Sequence, residues 1–469
     1  MRKTKIICTL GPSTDSYDVL VSMVKEGMNV VRFNMAHGDY EISQKRMDLV
    51  KQVREDLNVP LAIMVDIKGP EVRTGQVDKP FKVKKDEQII FTGDDIIAHD
   101  NIVPVNYKDI AKDVFVGGHI LLNDGIFDLI IEKIENDFIY CKALNDGTIG
   151  NHKNMHFPGV HLNLPFIRDK DIKDMNFAIK NDVEFIACSF VSRGSEVKEV
   201  RDYLDSNHAK DIALIAKIEN KEGIDNLEDI MNYVEGVMVA RGDLGVEIPI
   251  ERIPTIQKQM IRKVHLAGKR VITATEMLET MTHNSRPTRA EVSDVANAVY
   301  DGTSCVMLSG ETAVGDYPIK VVKTMANICQ DTEANIDYRN NFKNINFSIT
   351  NIADALSHSS VNAAIDLNAK AIVVCTKTGK TAMMVSRFRP DMPIIAFVTS
   401  KKAYHQLSMS WDVSPYLMDE YYSTEELSIR AIDRAKEMPY IGKGDVLIVV
   451  AGIARQVDGS NLMRIEKIK

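Results

Sequence analysis

Long apolar runs are missing from this sequence. Nowhere do about 18 apolar residues follow one another, so no ordinary membrane-spanning helix is predicted. Positive charge is in the minority, because 58 lysines and arginines stand against 66 aspartates and glutamates, for a net charge of -8. Proteins that bind nucleic acid or a membrane surface normally carry clustered basic residues. The composition therefore predicts neither partner.

Paired cysteines are missing too. The six cysteines never form a CxxC pair, and four of them lie in apolar, strand-like runs. Zinc sites and secreted disulfide frameworks have closer and more regular cysteine spacing. We therefore expect buried thiols in a reducing cytoplasm. The N-terminal residues are charged and lack the apolar stretch of a signal peptide, so they predict a strand.

Short apolar runs recur along the chain and alternate with amphipathic helical patterns. With 469 residues, 45% of them hydrophobic, the chain has material for about three domains. Continuous Val/Ile-rich strands separated by helices indicate a parallel sheet covered by helices. Eight such units favour a closed (β/α)8 TIM barrel over an open doubly wound sheet, which needs no particular strand number. The runs are 4–9, 29–33, 61–66, 184–190, 212–217, 236–241, 270–275 and 304–309.

The alternation is interrupted once, after the third run. From about residue 70 to 164 apolar and polar residues alternate, which predicts a small antiparallel β-barrel domain. Because it is inserted between a strand and a helix, it would lie over the barrel face that holds active sites, as a lid. Further strand and helix patterns predict a C-terminal open-sheet α/β domain. The predicted divisions are 1–69 and 169–340 for the barrel, 70–168 for the lid and 341–469 for the C-terminal domain.

Charged and polar side chains collect where the predicted barrel strands end. Each has an ordinary structural explanation alone, but the carboxyl ends of barrel strands meet at one mouth. Two carboxylates without Cys or His ligands favour Mg²⁺ or Mn²⁺ over zinc, and nearby Arg and Lys suit a phosphoryl or carboxylate group. Hydrolysis, aldol cleavage and phosphoryl transfer all remain open at this level. The set is Arg32, Asn34, Asp66, Lys68, Lys217, Glu219, Asp243, Thr275 and Glu276.

Six longer motifs carry a family resemblance. They are TKIICTLGP at 4–12, KGPEVRTG at 68–75, KIEN at 217–220, MVARGDLG at 238–245, RPTRAE at 286–291 and MLSGETA at 307–313. In this order, along nearly the whole chain, they resemble pyruvate kinase. The resemblance implies a cytoplasmic glycolytic enzyme that transfers the phosphoryl group of phosphoenolpyruvate to ADP, giving pyruvate and ATP.

The same resemblance implies roles for residues of the barrel mouth. Glu219 and Asp243 would hold Mg²⁺ (or Mn²⁺). Arg32 and Lys217 would contact the phosphoryl group, and Thr275 would lie near the waters that protonate the enolate. The substrate carboxylate would be received by Gly242, Asp243 and Thr275.

Nucleotide and potassium sites are implied beside the mouth. The family's nucleotide contacts match Asn34, His37, Arg73 and Lys153, and its potassium ligands match Asn34, Asp66 and the carbonyl of Ile67. Ala36 stands where the family usually has a serine whose hydroxyl also binds potassium, so we expect potassium activation with weakened affinity. Glu71 is the residue type of potassium-dependent members.

The third domain carries a possible phosphate cradle after a predicted strand, in which hydroxyls, a glycine and lysines follow one another. The family binds a sugar-phosphate effector there. The resemblance favours fructose bisphosphate over AMP or no effector, and makes Arg455 a candidate for the second phosphate. The cradle is Thr376, Lys377, Thr378, Gly379, Lys380 and Thr381. The resemblance also implies a homotetramer, with the helix at 288–299 as a contact.

Two other functions are compatible with some of these residues. A Mg²⁺-dependent pyruvate-enolate lyase or aldolase would use the same carboxylates, but it would leave Arg73 and Lys153 in the lid without a role. A catalytically impaired metabolite-binding regulator is suggested only by departures from the family pattern. These departures are Ala36, Asn123 where a second acid is usual, and His156 where asparagine is usual.

Overall fold

A computed structural model describes residues 2–36, 38–419, 424–452 and 461–469. Within these ranges eight parallel strands close into a barrel, each beside the next in chain order and the last beside the first. They lie where the eight apolar runs predicted them, so the (β/α)8 barrel is confirmed. The strands are Lys5–Thr9, Val30–Asn34, Ala62–Ile67, Phe185–Cys188, Ala213–Ile218, Gly236–Ala240, Arg270–Ala274 and Cys305–Leu308.

Helices cover the outside of the barrel, so the strands are buried on both faces, as their continuous apolar sequences predict. The helix Arg289–Tyr300 begins with the capping box expected from its sequence, in which Glu291 N donates to Thr288 Oγ1 at 3.2 Å and Thr288 N donates to Glu291 Oε2 at 2.7 Å. The helices are Tyr17–Glu26, Tyr40–Asp56, Asp169–Lys180, Gly194–Ser206, Lys221–Asp225, Leu227–Met231, Arg241–Glu247, Ile253–Leu266, Arg289–Tyr300, Gly310–Ala313 and Pro318–Ala334.

The lid is a curled sheet that comes close to closing on itself. Seven of its strands form one sheet, mostly antiparallel but with a parallel pair between Gln88–Thr92 and Ile102–Pro104. A single bridge between Thr74 and Val105 joins its two edges. The helix Ile110–Asp113 and a two-stranded ribbon complete it. The strands are Val72–Arg73, Phe81–Val83, Gln88–Thr92, Ile102–Pro104, His119–Leu122, Phe127–Glu135, Phe138–Ala143, Gly147–Ile149 and Asn154–His156.

The third domain is an open sheet, as predicted, with a fifth strand that the sequence analysis missed. Leu462–Lys467 pairs antiparallel with Val446–Ala451 at the sheet edge. The other strands, Ala371–Thr376, Ile394–Val398 and Val413–Leu417, run parallel. The helices beside the sheet are Tyr338–Lys343, Ile352–Asp366, Lys380–Ser386, Lys401–Gln406 and Thr424–Lys436. The domain divisions predicted from the sequence stay predictions.

A short turn of the third domain closes the bottom of the barrel. The 3₁₀ turn Leu407–Met409 is buried, and Met409 joins the cluster of side chains that fills the barrel interior, beside Ile7, Val30 and Ile272. Cys305 Sγ donates to the Met409 carbonyl at 3.2 Å. The interior of the barrel is therefore completed by a residue from another domain.

All six cysteines are buried, and none is in a disulfide. Burial raises the pKa of the Cys8 and Cys188 thiols well above the ordinary value. Among the described residues, no helix is both long enough and apolar enough to cross a membrane.

Replacing Met409 by alanine should destabilise the protein by about 2–5 kcal/mol, because a fully buried side chain is removed and leaves a cavity in the barrel interior. The change is measured as a lower denaturant midpoint of unfolding. Ile352→Ala, at a position that is 74% exposed on the same domain, is the control and should change the midpoint little. Equal midpoints for the two variants would contradict the packing role of Met409.

Candidate active site

The barrel mouth holds a connected cluster of buried charges. Arg32 donates from Nε and Nη2 to Asp66 Oδ2 at 2.8 and 2.5 Å. Lys217 Nζ lies 3.5 Å from Asp66 Oδ1 and 2.9 Å from Glu219 Oε1. These four residues belong to the carboxyl ends of the second, third and fifth strands, which the parallel barrel brings to one face. The structure therefore unites four side chains that the sequence analysis selected.

Neighbouring charges keep Lys217 and Asp66 ionised, whereas the pKa of Glu219 is shifted the other way. Burial lowers the pKa of Lys217, but Asp66 and Glu219 raise it by more, so the ammonium stays charged. Burial likewise raises the pKa of Asp66, while Lys217 and Arg32 lower it by more. Glu219 differs, because burial raises its pKa to about 7 despite Lys217, and the charge of Asp243 adds to the rise. Lys217 therefore offsets the charge of the Glu219 carboxylate only in part.

Glu219 and Asp243 have the character of a divalent-cation site. Glu219 is 1% exposed, and its Oε2 accepts from Phe190 N at 2.6 Å. Its Oε1 faces the Lys217 ammonium but accepts no well-formed hydrogen bond in the described part of the chain. Asp243 lies in the first turn of the helix Arg241–Glu247. Carboxylate oxygens, with no Cys or His ligand beside them in this pair, fit Mg²⁺ or Mn²⁺.

Within the described ranges, no group of three or more His, Cys, Asp or Glu side chains is placed to hold a metal. A cation bound by Glu219 and Asp243 would therefore take its other ligands from substrate and water, which is the usual arrangement for Mg²⁺.

Thr275 follows the seventh strand in a conformation that β-branched residues rarely adopt, with φ of 65°. Its Oγ1 accepts from Gly242 N at 2.9 Å. Arg241 stabilises this turn, because its Nη2 donates to the carbonyls of Thr275 and Glu276 at 2.6 and 3.0 Å, while its Nη1 donates to Asp294 at 2.6 Å. Arg241 lies within one of the family motifs, but no role for it was predicted from the sequence.

Two further residues at the mouth were missed. Ser189 Oγ donates to the Ile67 carbonyl at 2.8 Å and accepts from Lys217 Nζ at 2.8 Å. Phe190, with φ of 58°, supplies the N–H that holds Glu219. Both follow the fourth barrel strand directly. Reading that strand's end along with the others would have found them.

The two predicted cations of the lid lie close together along its sheet, Arg73 in a strand and Lys153 directly before the strand that pairs with it. Asn154 pairs with Arg73, and Lys153 N donates to Thr74 Oγ1 at 2.8 Å. Glu71 links this part of the lid to the barrel, because its Oε2 lies 2.8 Å from Arg73 Nε and 3.5 Å from Lys68 Nζ. The cations are thus held where the lid leaves the barrel.

The predicted potassium ligands lie at the ends of the second and third strands. Asn34 is exposed, and its Oδ1 accepts from Ala36 N at 3.1 Å. The side chain of Asp66 and the carbonyl of Ile67 share a hydrogen bond donor in Ser189. Ala36 offers no side-chain oxygen. His37, predicted to contact the nucleotide, lies outside the described residues.

Asn123 has a structural explanation. It adopts a left-handed conformation with φ of 51°, which asparagine tolerates, and its Nδ2 donates to the Thr148 carbonyl at 3.0 Å. An aspartate could not make that bond. The substitution therefore orders the turn that carries Asp124 and Gly125.

In the third domain the predicted cradle lies between a strand and a helix. Thr376 ends the strand Ala371–Thr376, and Gly379 N donates to Thr376 Oγ1 at 3.1 Å. Gly379 has φ of 83° and precedes the helix Lys380–Ser386, so glycine suits this position. Arg455 lies outside the described residues.

Known proteins resemble this chain along its whole length. Residues 1–322 match the family described as "Pyruvate kinase, barrel domain", and residues 354–466 match "Pyruvate kinase, alpha/beta domain". A pyruvate kinase of Clostridium acetobutylicum is 42% identical over 480 residues, covering all of both chains. One from Staphylococcus epidermidis is 42% identical over 473 residues, covering all of this chain and 81% of its own. A crystal structure of a pyruvate kinase from Cryptosporidium parvum superposes with a TM-score of 0.95 at 39% identity, covering 100% of this chain and 96% of that one.

The raised pKa of Glu219 predicts a pH dependence of stability when divalent ions are removed by a chelator. A carboxyl with a folded pKa of about 7 and an ordinary value of 4.5 stabilises the fold fully below pH 4.5, and this contribution is lost as pH rises through 7. Glu219→Gln should therefore gain stability relative to the unmodified chain between pH 5 and about 8. Thermal unfolding across this range measures the difference.

The exposed Glu251→Gln is the matched control and should follow the unmodified chain at every pH. Parallel profiles for Glu219→Gln and the unmodified chain would show that Glu219 is not the titrating group.

Proposed function

The chain belongs to the pyruvate kinase family, whose members transfer the phosphoryl group of phosphoenolpyruvate to ADP, and we propose that Lys217 and its neighbours carry this reaction. The observation that carries the assignment is the position of Lys217 Nζ, within 3.5 Å of both Asp66 and Glu219 at the barrel mouth. A cation held so firmly is available to a substrate without reorganisation. Preorganised charge of this kind is usually the largest contribution to catalysis.

Lys217 and Arg32 act on the phosphoryl group. In phosphoryl transfer the protein contributes chiefly position and charge, because negative charge spreads over the moving oxygens. Lys217 would stabilise that charge and the enolate left behind, a role worth about 3 kcal/mol for one well-placed donor. Arg32, anchored by Asp66 and by Thr9, to whose Oγ1 its Nη1 donates at 3.1 Å, would contact the same group.

Glu219 and Asp243 would hold Mg²⁺ or Mn²⁺. When bound, the ion would supply positive charge that offsets the negative charge of the transferring phosphoryl group. The burial of Glu219 and the position of its Oε1, which accepts no well-formed hydrogen bond among the described residues, support this assignment.

Gly242, Asp243 and Thr275 would receive the carboxylate of the substrate. Gly242 N and Thr275 Oγ1 are already hydrogen bonded, so they form one unit whose position Arg241 sets through the carbonyls of the following turn. Thr275 would also lie beside the water that delivers a proton to the enolate.

Arg73 and Lys153 would bind the phosphates of ADP as the lid closes, with Asn34 and His37 beside them. Their position at the root of the lid, tied to the barrel through Glu71, supports this role. Closure would also keep water from intercepting the phosphoryl group.

Asn34, Asp66 and the Ile67 carbonyl would bind potassium. Ala36 removes one ligand from the set, so the ion would bind weakly while activation persists. Glu71 is negatively charged, so it does not replace the positive charge that a bound monovalent cation would supply.

The third domain would bind a sugar-phosphate effector such as fructose bisphosphate at Thr376, Lys377, Thr378, Gly379, Lys380 and Thr381, with Arg455 nearby. The glycine conformation and the helix that follows support a phosphate site. We also propose a cytoplasmic homotetramer. Exposed Val292 and Tyr300 on the helix Arg289–Tyr300 support a contact there.

Lys217→Met should reduce the formation of pyruvate from phosphoenolpyruvate and ADP by about a hundredfold or more, since it deletes the charge that stabilises the transferring group. The assay contains Mg²⁺ and potassium, and calorimetry should still detect phosphoenolpyruvate binding. Lys210→Met removes an exposed lysine and should leave the rate unchanged. A Lys217→Met enzyme with full turnover would exclude this residue from the reaction.

Ala36→Ser should lower the potassium concentration needed for half-maximal activity, because it adds a hydroxyl ligand to the proposed site. The measurement is the initial rate as a function of potassium in sodium-free buffer. Ala98→Ser, a partly buried alanine in the lid, is the control. An unmodified enzyme that is fully active without potassium would refute the site.

A further inference from the structure

The lid contacts the barrel helix that carries Asp243, through a histidine. His156 ends the lid strand Asn154–His156 and is 5% exposed. Its Nδ1 lies 3.6 Å from Oε1 of Glu247, the last residue of the helix Arg241–Glu247. This separation is too long for a hydrogen bond, so the contact is a charge pair when the imidazole is protonated.

A second lid segment contacts the same helix. Gly125 is so close that a Cβ built on it would lie 3.3 Å from Val246 Cγ1. The lid therefore meets two consecutive helix residues, Val246 and Glu247, from two separate segments. Gly242 and Asp243 lie in the first turn of this helix, so the contact joins the lid to the proposed substrate and metal site.

The surroundings of His156 favour its charged form. Burial lowers the pKa of the imidazole, but Glu247, followed by Asp243 and Asp124, raises it by more. Screening by solvent is weak at so buried a position, and a charge pair there is stronger than one on the surface.

We propose that His156 is a positioning residue which, with Glu247, latches the lid onto the helix Arg241–Glu247 and so places the nucleotide-binding cations. This rests on the function proposed above. Asn154 pairs with Arg73 in the lid sheet, and Lys153 is hydrogen bonded to Thr74. Any movement of the strand that ends at His156 therefore moves Arg73 and Lys153 with it.

A second histidine supplies a matched comparison. His161 follows the same lid strand, and its Nδ1 lies 2.9 Å from Oε2 of Glu222 on the barrel. Its side chain is 39% exposed, and Glu222 is also paired with Arg193. An exposed pair is screened by water and contributes little. Both histidines line the cavity of about 350 Å³ between lid and barrel, yet only His156 is buried against its partner.

The test measures ADP and phosphoenolpyruvate binding separately, by calorimetry with Mg²⁺ present. His156→Asn keeps a polar side chain and removes the charge, and it should weaken ADP binding about fivefold, within the range for contacting residues. Glu247→Gln should do the same. The double variant should bind ADP no more weakly than either single variant, and phosphoenolpyruvate affinity should stay within about twofold throughout.

The control, His161→Asn, should bind both ligands as the unmodified chain does. Additive effects of His156→Asn and Glu247→Gln, or equal weakening of both ligands, would overturn the latch.

Hydrogen exchange tests the latch without catalysis. In the ligand-free protein, His156→Asn and Glu247→Gln should accelerate exchange in Val72–Arg73 and Asn154–His156, and leave the third domain unchanged. Unchanged exchange in these two strands would also overturn the proposal. If the unmodified chain formed no pyruvate, the proposed function would fail, while the exchange result would still decide whether the latch exists.

Discussion

A single ammonium group organises the barrel mouth. Lys217 is buried, and a buried cation is stable only when paired and hydrogen bonded. Asp66 and Glu219 both pair with the Lys217 ammonium, and Asp66 also pairs with Arg32. Three strands are thereby held in fixed relation at their carboxyl ends. Removing Asp66 would leave the Arg32 guanidinium without a carboxylate partner in the interior, so stability and chemistry depend on the same contacts.

The balance of this cluster also bears on the divalent-ion site proposed at Glu219 and Asp243. Two cations face Asp66, so Glu219 is left with part of one ammonium and a neighbouring carboxylate, Asp243. A divalent ion at the proposed site would add positive charge beside these two carboxylates. At Thr275, Arg241 holds an unfavourable backbone conformation against several carbonyl groups.

The barrel was predictable because its strands are continuous apolar runs of similar length. In an α/β chain such runs usually form buried parallel strands. The strand Leu462–Lys467 was not, since its charged and apolar residues follow no such run, and its edge position leaves much of it exposed. At the site, the residues that lie at the carboxyl ends of barrel strands, such as Arg32, Asp66 and Lys217, were predicted from the sequence. Arg241 was not assigned, because its role lies in bonds to backbone carbonyls of a turn some 34 residues away, which no local pattern records.

The lid shows the same limit. Alternating residues predicted its sheet, but the pairing of His156 with Glu247 depends on how two separately folded units meet. Neither residue belongs to a sequence motif from which its contact partner could be predicted. Sequence patterns report the neighbours along an element well, and contacts between domains poorly.

The position of Met409 in the sequence affects when the barrel interior can pack during synthesis. All eight barrel strands lie before residue 309, yet the side chain that fills the end of their interior comes about a hundred residues later. A nascent chain that has exposed only the barrel sequence would carry an incompletely packed core. Final packing of the barrel therefore waits until the third domain has left the ribosome, which couples the folding of the two domains in time.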